Sequence, residues 1–334
     1  MKSVSEFNQF YQERIKIKTD ELEAARSAIT VRYSYRKYAR SLVWLFSFAI
    51  ALIILSNIFS EIPKWVISIV PAIILYSIVT PIYILLKRTR AFSPIKAEYE
   101  RTVVKNIITF VHPDFKHSPD KGISLNDFNM SGMFDKADAY KSNDLITGEI
   151  EGRQIQISSV FASRKTKIRE GSRSTTVTIF TGLFSVVMLP KPVKGKTFVY
   201  SSVLANKAIV SPIQSLIGEN AMDFINERLK PATIKTGDVE FDKYFYLRFE
   251  GEPPQTYVNP RLIETLTLLR REMEIPIHIS LIEDKAYFGF EGIELFPLSA
   301  HASIVKEDLA KKYFQYLNRA VGLSEALTAI VESD

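Results

Sequence analysis

Residues 42–86 read LVWLFSFAIALIILSNIF-SEIPK-WVISIVPAIILYSIVTPIYILL: two apolar runs, Leu42–Phe59 and Trp65–Leu86, joined by Ser60–Lys64. Neither run contains Asp, Glu, Lys, Arg or His. A hydrocarbon core of about 30 Å takes roughly 20 apolar residues in helical form, so each run is long enough to span it. A connector of five residues makes the two helices antiparallel neighbours, a hairpin over 41–86. Pro71 and Pro81 fall inside the second run, where membrane helices tolerate them. No ionisable residue lies within either run, as a pore or transporter would require, so the hairpin reads as an anchor. The charged flanks argue against burial in a soluble core. A cleaved leader is not expected, because its apolar stretch is only about 7–15 residues, whereas here about forty residues precede the first run.

Orientation follows from the flanks. Arg32, Arg36, Lys37 and Arg40 precede the first run, and Lys87, Arg88 and Arg90 follow the second. The connector carries only Glu61 and Lys64. An excess of Lys and Arg beside a span marks the cytoplasmic side, which places both termini in the cytoplasm. The only two tryptophans, Trp44 and Trp65, sit near ends of the runs, where amphipathic rings prefer the headgroup level.

The formal net charge is +6. Residues 1–40 carry a net +4, residues 87–117 another +4, and residues 118–334 a net −2. The positive charge is therefore juxtamembrane, where each cation beside an anionic leaflet contributes about 1 kcal/mol. Nucleic-acid binding needs a basic patch on the folded domain instead, and is not expected. The absence of cysteine removes disulfides, thiolate catalysis and cysteine–zinc sites together.

Outside the hairpin the pattern is α+β. Residues 4–38 read as an amphipathic helix, with Phe7, Phe10, Tyr11, Ile15, Leu22, Ala25 and Ile29 recurring near the helical period. Ile95, Tyr99, Val103, Ile107 and Phe110 define a second helix that ends at Val111-His112-Pro113, since a residue before proline is pushed out of the α region. The two helices are expected to pair as an antiparallel stalk, the alternative being that they lie on the membrane surface as basic amphipathic helices. Ser124 reads as the cap of a short helix. Strand signals follow at Leu145–Ile150 and Arg153–Phe161 around a Glu151-Gly152 turn, at Thr175–Leu189 with a bulge or bend at Gly182, and at Lys196–Ser201. Residues 212–230 read as a helix and Tyr244–Phe249 as a strand. Asn259-Pro260 opens a helix to about Met273, Ile277–Ile282 and Ala286–Phe290 form a hairpin, and Ile304–Ala320 is a terminal helix. Four parts are expected: an N-terminal amphipathic helix over 1–40, the transmembrane hairpin over 41–86, a juxtamembrane helix over 87–113, and a mainly antiparallel-sheet cytoplasmic domain over 114–334. That last part carries enough periodic apolar positions for a core of its own.

Several segments carry a family likeness. They are Gly122-Ile-Ser124 with Phe128, Gly132 and Phe134; Asp144-Leu-Ile-Thr-Gly-Glu-Ile150; Phe180-Thr-Gly-Leu-Phe184; Lys194-Gly-Lys-Thr-Phe-Val199; Asp238-Val-Glu-Phe-Asp-Lys-Tyr-Phe245; Tyr257-Val-Asn-Pro260; and Ala286-Tyr-Phe-Gly-Phe290. Over 121–200 and 238–298 the chain resembles a bacterial membrane-anchored family catalogued as domain of unknown function 3137. The resemblance implies a cytoplasmic domain on a membrane hairpin, in the bacterial cytoplasmic (inner) membrane. It implies no activity and transfers no catalytic residue.

The residues supply no recognisable catalytic constellation. Of the histidines, only His112 and His117 are close, and Pro113 separates them, with Asp114 and Asp120 the nearest further ligands. His278 alternates with Ile277 and Ile279 and is expected to face solvent or a polar neighbour. No glycine-rich phosphate loop and no serine nucleophile elbow occurs. No catalytic, cofactor or metal residue is assigned and no cofactor is expected. Two sets of cations remain: the membrane-flanking Arg36, Lys37, Arg40, Lys87, Arg88 and Arg90, and the cluster Arg164, Lys165, Lys167, Arg169 and Arg173 beside the single acid Glu170. The second set lies between two strands and suits either a solvated hairpin tip or a contact with anionic lipid or an acidic partner. The reading is a membrane-anchored binding or scaffold module whose partner is the bilayer, another protein or a second copy. A membrane-tethered enzyme or a small-molecule sensor is the alternative.

Overall fold

The structure, a computed structural model, describes residues 2–33, 43–48, 50–51, 53–54, 64–167, 174–202, 234–251, 257–300, 302–305 and 308–332. Contacts divide the chain into two compact units. One comprises Asn8–Asn106 and Leu298–Ala310; the other comprises Met1–Phe7, Ile107–Pro297 and Lys311–Asp334.

The helices of the first half are α1 (Val4–Phe10), a π-turn (Tyr11–Ile15), α2 (Lys16–Arg32), α3 (Lys64–Tyr99), a second π-turn (Glu100–Val104) and α4 (Lys105–Val111). The expected helix over 4–38 stops earlier, at Arg32, with Tyr33 as its C-cap. Of the first apolar run, residues 43–48, 50–51 and 53–54 are helical; its remaining residues and the connector 60–63 lie outside the described residues.

The second apolar run forms the first part of α3, which passes through Pro71, Pro81 and Pro94. Pro71–Val111 is long and apolar enough to cross a membrane, and is the one such helix among the described residues. Leu75, Ile78, Val79, Ile82, Tyr83, Leu85 and Leu86 are exposed along it. Past Leu86 the character changes: Phe92, Ile95 and Tyr99 are buried at helical spacing, as are Thr19, Leu22 and Arg26 of α2. Lys18 pairs with Glu98 at 3.2 Å and Arg88 donates to Thr30 Oγ1 at 3.3 Å. Ascending α2 therefore descends α3, which is the antiparallel stalk expected from the two stripes.

The other unit is built on β1 (Lys116–Ser118), α5 (Leu125–Met130), β2 (Ala139–Ile150), β3 (Arg153–Lys167), β4 (Ser174–Met188), β5 (Lys196–Ser201), α6 (Val239–Tyr244), β6 (Phe245–Glu250), α7 (Pro260–Met273), β7 (Ile277–Ile282), β8 (Lys285–Glu291) and α8 (Leu309–Glu332). All eight strands join one antiparallel sheet in the order β1-β2-β3-β4-β8-β7-β5-β6. The fold class is α+β, as the pattern indicated. The helical pattern at 212–230 lies outside the described residues.

Local chemistry explains the boundaries. Ser124 accepts from the Asp127 amide at 3.0 Å to start α5, and Asn259 accepts from the Leu262 amide at 3.0 Å to start α7, with Pro260 in its first turn. Glu151 and Gly152, at φ 51° and 73°, form the two-residue turn that pairs Ile150 with Arg153. The predicted irregularity at Gly182 resolves into two features. The register shift falls opposite Ala162 and Ser163, at Ile179. Gly182 itself is a close approach, since a Cβ there would lie 2.1 Å from the Phe290 carbonyl oxygen on β8.

One sheet face carries Val160, Ala162, Phe180, Phe184, Val186, Phe198 and Tyr287, clustered with Ile123, Phe128 and Met133 from around α5. Phe128 lies 5.2 Å from Phe184 and 6.0 Å from Phe180 by ring centroids. Elsewhere in the same unit, Phe7 stacks on Phe314 at 4.3 Å and 3° between planes, and Phe110 meets both edge-on at 5.7 Å. The Asn318 side chain accepts from the Lys2 amide at 3.1 Å and donates to the Lys2 carbonyl at 2.9 Å. The first residues of the chain and the end of α4 are thus core elements of the sheet unit. The sequence pattern had offered Phe7 and Phe110 only as stripe positions on the two amphipathic helices.

Candidate functional site

The cationic cluster falls on a two-stranded arm. β2 accompanies β3 only as far as Ser163, paired with Ala139, and β8 accompanies β4 only from Gly182. Beyond these limits Arg164–Lys167 and the start of β4 pair with each other alone, Lys167 opposite Ser174. The segment 168–173 that joins them, with Arg169 and Arg173, lies outside the described residues. Lys165 is exposed, as are Phe161 and Val177 beside it.

The arm is less free than its sequence implied. Arg164 Nη1 pairs with Asp135 Oδ2 at 2.7 Å, and the Lys165 amide donates to Asp138 Oδ2 at 2.7 Å. The Asp138 amide in turn donates to the Ser163 carbonyl at 2.9 Å. Glu170 is therefore not the only acid at the cluster: two aspartates from the α5–β2 connector, about 30 residues upstream, partner it. Their position in sequence gave no sign of this, because the pairing depends on the connector folding back over β3.

The membrane-flanking cations separate in a similar way. Arg36, Lys37 and Arg40 lie outside the described residues. Lys87 and Arg90 are exposed, and the Lys87 ammonium stands over the Tyr83 ring at 5.4 Å. Arg88 turns inward and donates to the Ala300 carbonyl at 2.7 Å. Arg26, which the sequence pattern did not single out, joins it there. The Glu23-x-x-Arg26 spacing on one helix face was a readable signal for that ion pair; Ala300 was not readable at all.

The histidines divide between two small polar sites. His117 on β1 pairs through Nε2 with Asp144 Oδ1 at 3.3 Å, both side chains nearly buried, rather than with Asp114 or Asp120. Asp144 holds φ 58° at the irregularity in β2 and also accepts from Asn143. His278 finds the polar neighbour expected of it, Glu291 at 3.4 Å, but is nearly buried, with Phe134 at 5.5 Å. Among the described residues no three His, Asp or Glu converge as a metal site would require.

A groove of about 600 Å³ runs between the loop before α6 and the side of α7, lined by Thr236, Asp238, Glu240, Ile263, Glu264 and Arg271 among others. Arg271 pairs with Glu240 at 3.4 Å across it, and no histidine or serine lines it. The hydroxyl of Thr236, which lines it, donates to Asp242 Oδ1 at 3.0 Å, and the same oxygen accepts from the Thr236 amide at 2.9 Å, so this carboxylate holds the loop before α6.

Fold and site together define an α+β protein with an antiparallel sheet unit and a long apolar helix. Residues 178–329 match the family described as "Protein of unknown function (DUF3137)"; the match begins within β4 rather than at residue 121 as the resembling segments suggested. No curated protein matches the chain. Among solved structures, the mycobacterial trehalose monomycolate transport factor A, TtfA, is similar at 7% identity with a TM-score of 0.30, over 67% of this chain and 96% of that one.

Proposed function

We propose that this protein is a membrane-anchored binding or scaffold module: a two-span protein of the bacterial cytoplasmic membrane with both termini cytoplasmic, whose sheet unit engages another protein, a second copy or the bilayer surface. The observation that carries the reading is the change of character along α3. Large apolar side chains are exposed as far as Leu86, with Ile84 buried among them, whereas beyond it Phe92, Ile95 and Tyr99 are buried and Glu98 pairs with Lys18 of α2. Exposed Leu, Ile, Val and Tyr over several turns of a helix are costly in water and favourable in lipid. The Lys87, Arg88 and Arg90 cluster at the transition supports the cytoplasmic assignment of that end. The β3–β4 arm, with Lys165 exposed beside Phe161 and Val177, is the surface best suited to an anionic partner, whether headgroups or an acidic protein.

Two measurements on the full-length chain test this. A single cysteine replacing Lys64 is expected to react with an impermeant maleimide added outside intact cells, and one replacing Ser174 is not; the reverse pattern overturns the orientation. In anionic nanodiscs at low salt, the arm is expected to be protected from proteolysis, and protection is expected to fall as salt screens it. Replacing Arg164, Lys165, Lys167 and Arg169 by serine is expected to remove that protection. Equal protection in the variant refutes the arm as a lipid contact and leaves the acidic protein partner, which affinity capture of the detergent-solubilised chain addresses.

A further inference from the structure

The helical unit contains a concentration of cationic donors that its own acceptors do not satisfy. Arg26 of α2 is clamped by Glu23: Nε donates to Oε2 at 2.9 Å and Nη2 to Oε1 at 2.7 Å. Glu23 also accepts from the Ile304 amide at 2.9 Å and the Ser303 hydroxyl at 3.0 Å. Held chiefly by Arg26, its carboxyl is depressed to about 2. That pair is neutral and Glu23 has no capacity left.

Arg88 of α3 arrives at the same point without a carboxylate partner among the described residues. Its Nη2 donates to the Ala300 carbonyl at 2.7 Å and to Thr30 Oγ1 at 3.3 Å. The same carbonyl already accepts from Arg26 Nη1 and from Thr30 Oγ1, each at 3.2 Å. A carbonyl oxygen has two lone pairs and three donors are aimed at it. Arg88 Nε is buried with no acceptor. One positive charge and several N–H groups thus lack a counter-group, and a guanidinium in that condition matches an anion with several oxygens.

The location narrows the anion. Arg88 stands two residues after Leu86, where the exposed side chains of Ile82, Tyr83, Leu85 and Leu86 end. In a helix that crosses a bilayer this is headgroup level, and Tyr83 under Lys87 is the aromatic–cation arrangement favoured there. We propose that Arg88, with Arg26 and Thr30 beside it, forms a specific phosphate-binding site for an anionic lipid headgroup. The proposal rests on the reading of α3 as a membrane helix.

The test uses the full-length chain in detergent, with retention of phosphatidylglycerol measured by native mass spectrometry against phosphatidylcholine. Wild type is expected to retain phosphatidylglycerol preferentially, and Arg88→Gln to weaken retention about fivefold or more, the effect of one cation near a phosphate. Arg88→Lys, which keeps the charge and loses the fork, is expected to fall between them. Equal retention by wild type and Arg88→Gln overturns the site. A loss of the same size in Lys87→Gln overturns it too, since diffuse juxtamembrane charge then accounts for the binding. Arg88→Lys keeps the test valid if the glutamine variant unfolds: retention by the lysine variant equal to wild type refutes the bidentate site. Adding inorganic phosphate separates the two sources of the ligand chemistry: undiminished lipid retention supports a headgroup site, and displacement assigns it to free phosphate. Carbonate extraction of wild-type membranes is run in parallel. Release of the chain refutes the anchor, whereas a firmly embedded chain with no Arg88 dependence refutes only the headgroup site.

Discussion

Phe7 is the most informative residue to remove. It is 1% exposed, close to the start of the chain, and stacked on Phe314 with Phe110 edge-on to both. Phe7→Ala removes a fully buried ring, at a cost of about 3–5 kcal/mol including the cavity it leaves. Of this, each ring pair contributes about 0.5–1.5 kcal/mol beyond area burial. In a unit of this size each kcal/mol lowers the midpoint by about 2–4 °C, so a fall on the order of 10 °C is expected. The assay is thermal unfolding of the purified full chain followed by near-ultraviolet circular dichroism of the tyrosines, because both tryptophans lie in the apolar runs. Phe314→Ala and the double variant complete a cycle, with a coupling of about 1 kcal/mol expected for direct contact. An unchanged midpoint in Phe7→Ala, or additive single effects, refutes the three-ring node. The same geometry bears on fragments. A fragment beginning at residue 114 lacks both Phe7 and Phe110, deprives Phe314 of these two rings and is expected to be less stable than the full chain or to aggregate.

Three further outcomes are expected. Gly182→Ala places a Cβ against the Phe290 carbonyl oxygen, so β4 and β8 must separate; the loss is expected to exceed about 3 kcal/mol by chemical denaturation, and near-wild-type stability would show that the close approach is not required. Glu23 contributes stability that depends on pH: its carboxyl sits at about 2 when folded against an ordinary 4.5, so the contribution is present above about 4.5 and lost as pH falls toward 2. With screening at this partly solvated site the effect is about 1–2 kcal/mol, and Glu23→Gln should flatten that acid limb; an identical acid profile in the variant argues against the clamp. Asp135→Ala takes an acid partner from Arg164 and is expected to increase salt-sensitive binding to anionic vesicles without changing the melting midpoint by more than about 2 °C, the range of a partly exposed ion pair. Weaker vesicle binding in that variant would mean the pair presents the arm rather than restrains it.

Elements bounded by local chemistry were legible in the sequence. Asn259-Pro260, Ser124 and the Glu151-Gly152 turn each carry their signal within four residues, and the β5 and β7 boundaries coincide with the periodicity. What could not be read was set by partners distant along the chain. The alternation over Thr175–Leu189 located β4, but placing its bulge at Ile179 required the β3 register. Gly182 carried a correct signal with two meanings, and only the Phe290 carbonyl on β8 distinguishes a close approach from a bend. Phe7 and Phe110 satisfied the helical period equally well as stalk positions and as core residues, because periodicity gives the face of a helix and not its neighbour.

The same distinction governs the charges, and there it changes the function. Read along the chain, Arg164–Arg173 is a cation-rich segment with one acid, and Arg88 is one of six equivalent membrane-flanking cations. In the folded protein Arg164 is paired with Asp135, while Arg88 competes with Arg26 and Thr30 for one carbonyl oxygen. Among the described residues, then, one cation of the arm has an acid partner that a local count does not show, and Arg88 has none. The operative quantity is the charge left after the nearest acceptors are assigned: it is reduced on the arm by a connector about 30 residues upstream, and left intact at Arg88 because Glu23 is already committed to Arg26. Of the two sites, the junction is the one whose described groups leave a cation without an acid partner, which is why the Arg88→Gln comparison, rather than the arm variant, is the sharper test of a specific anion site.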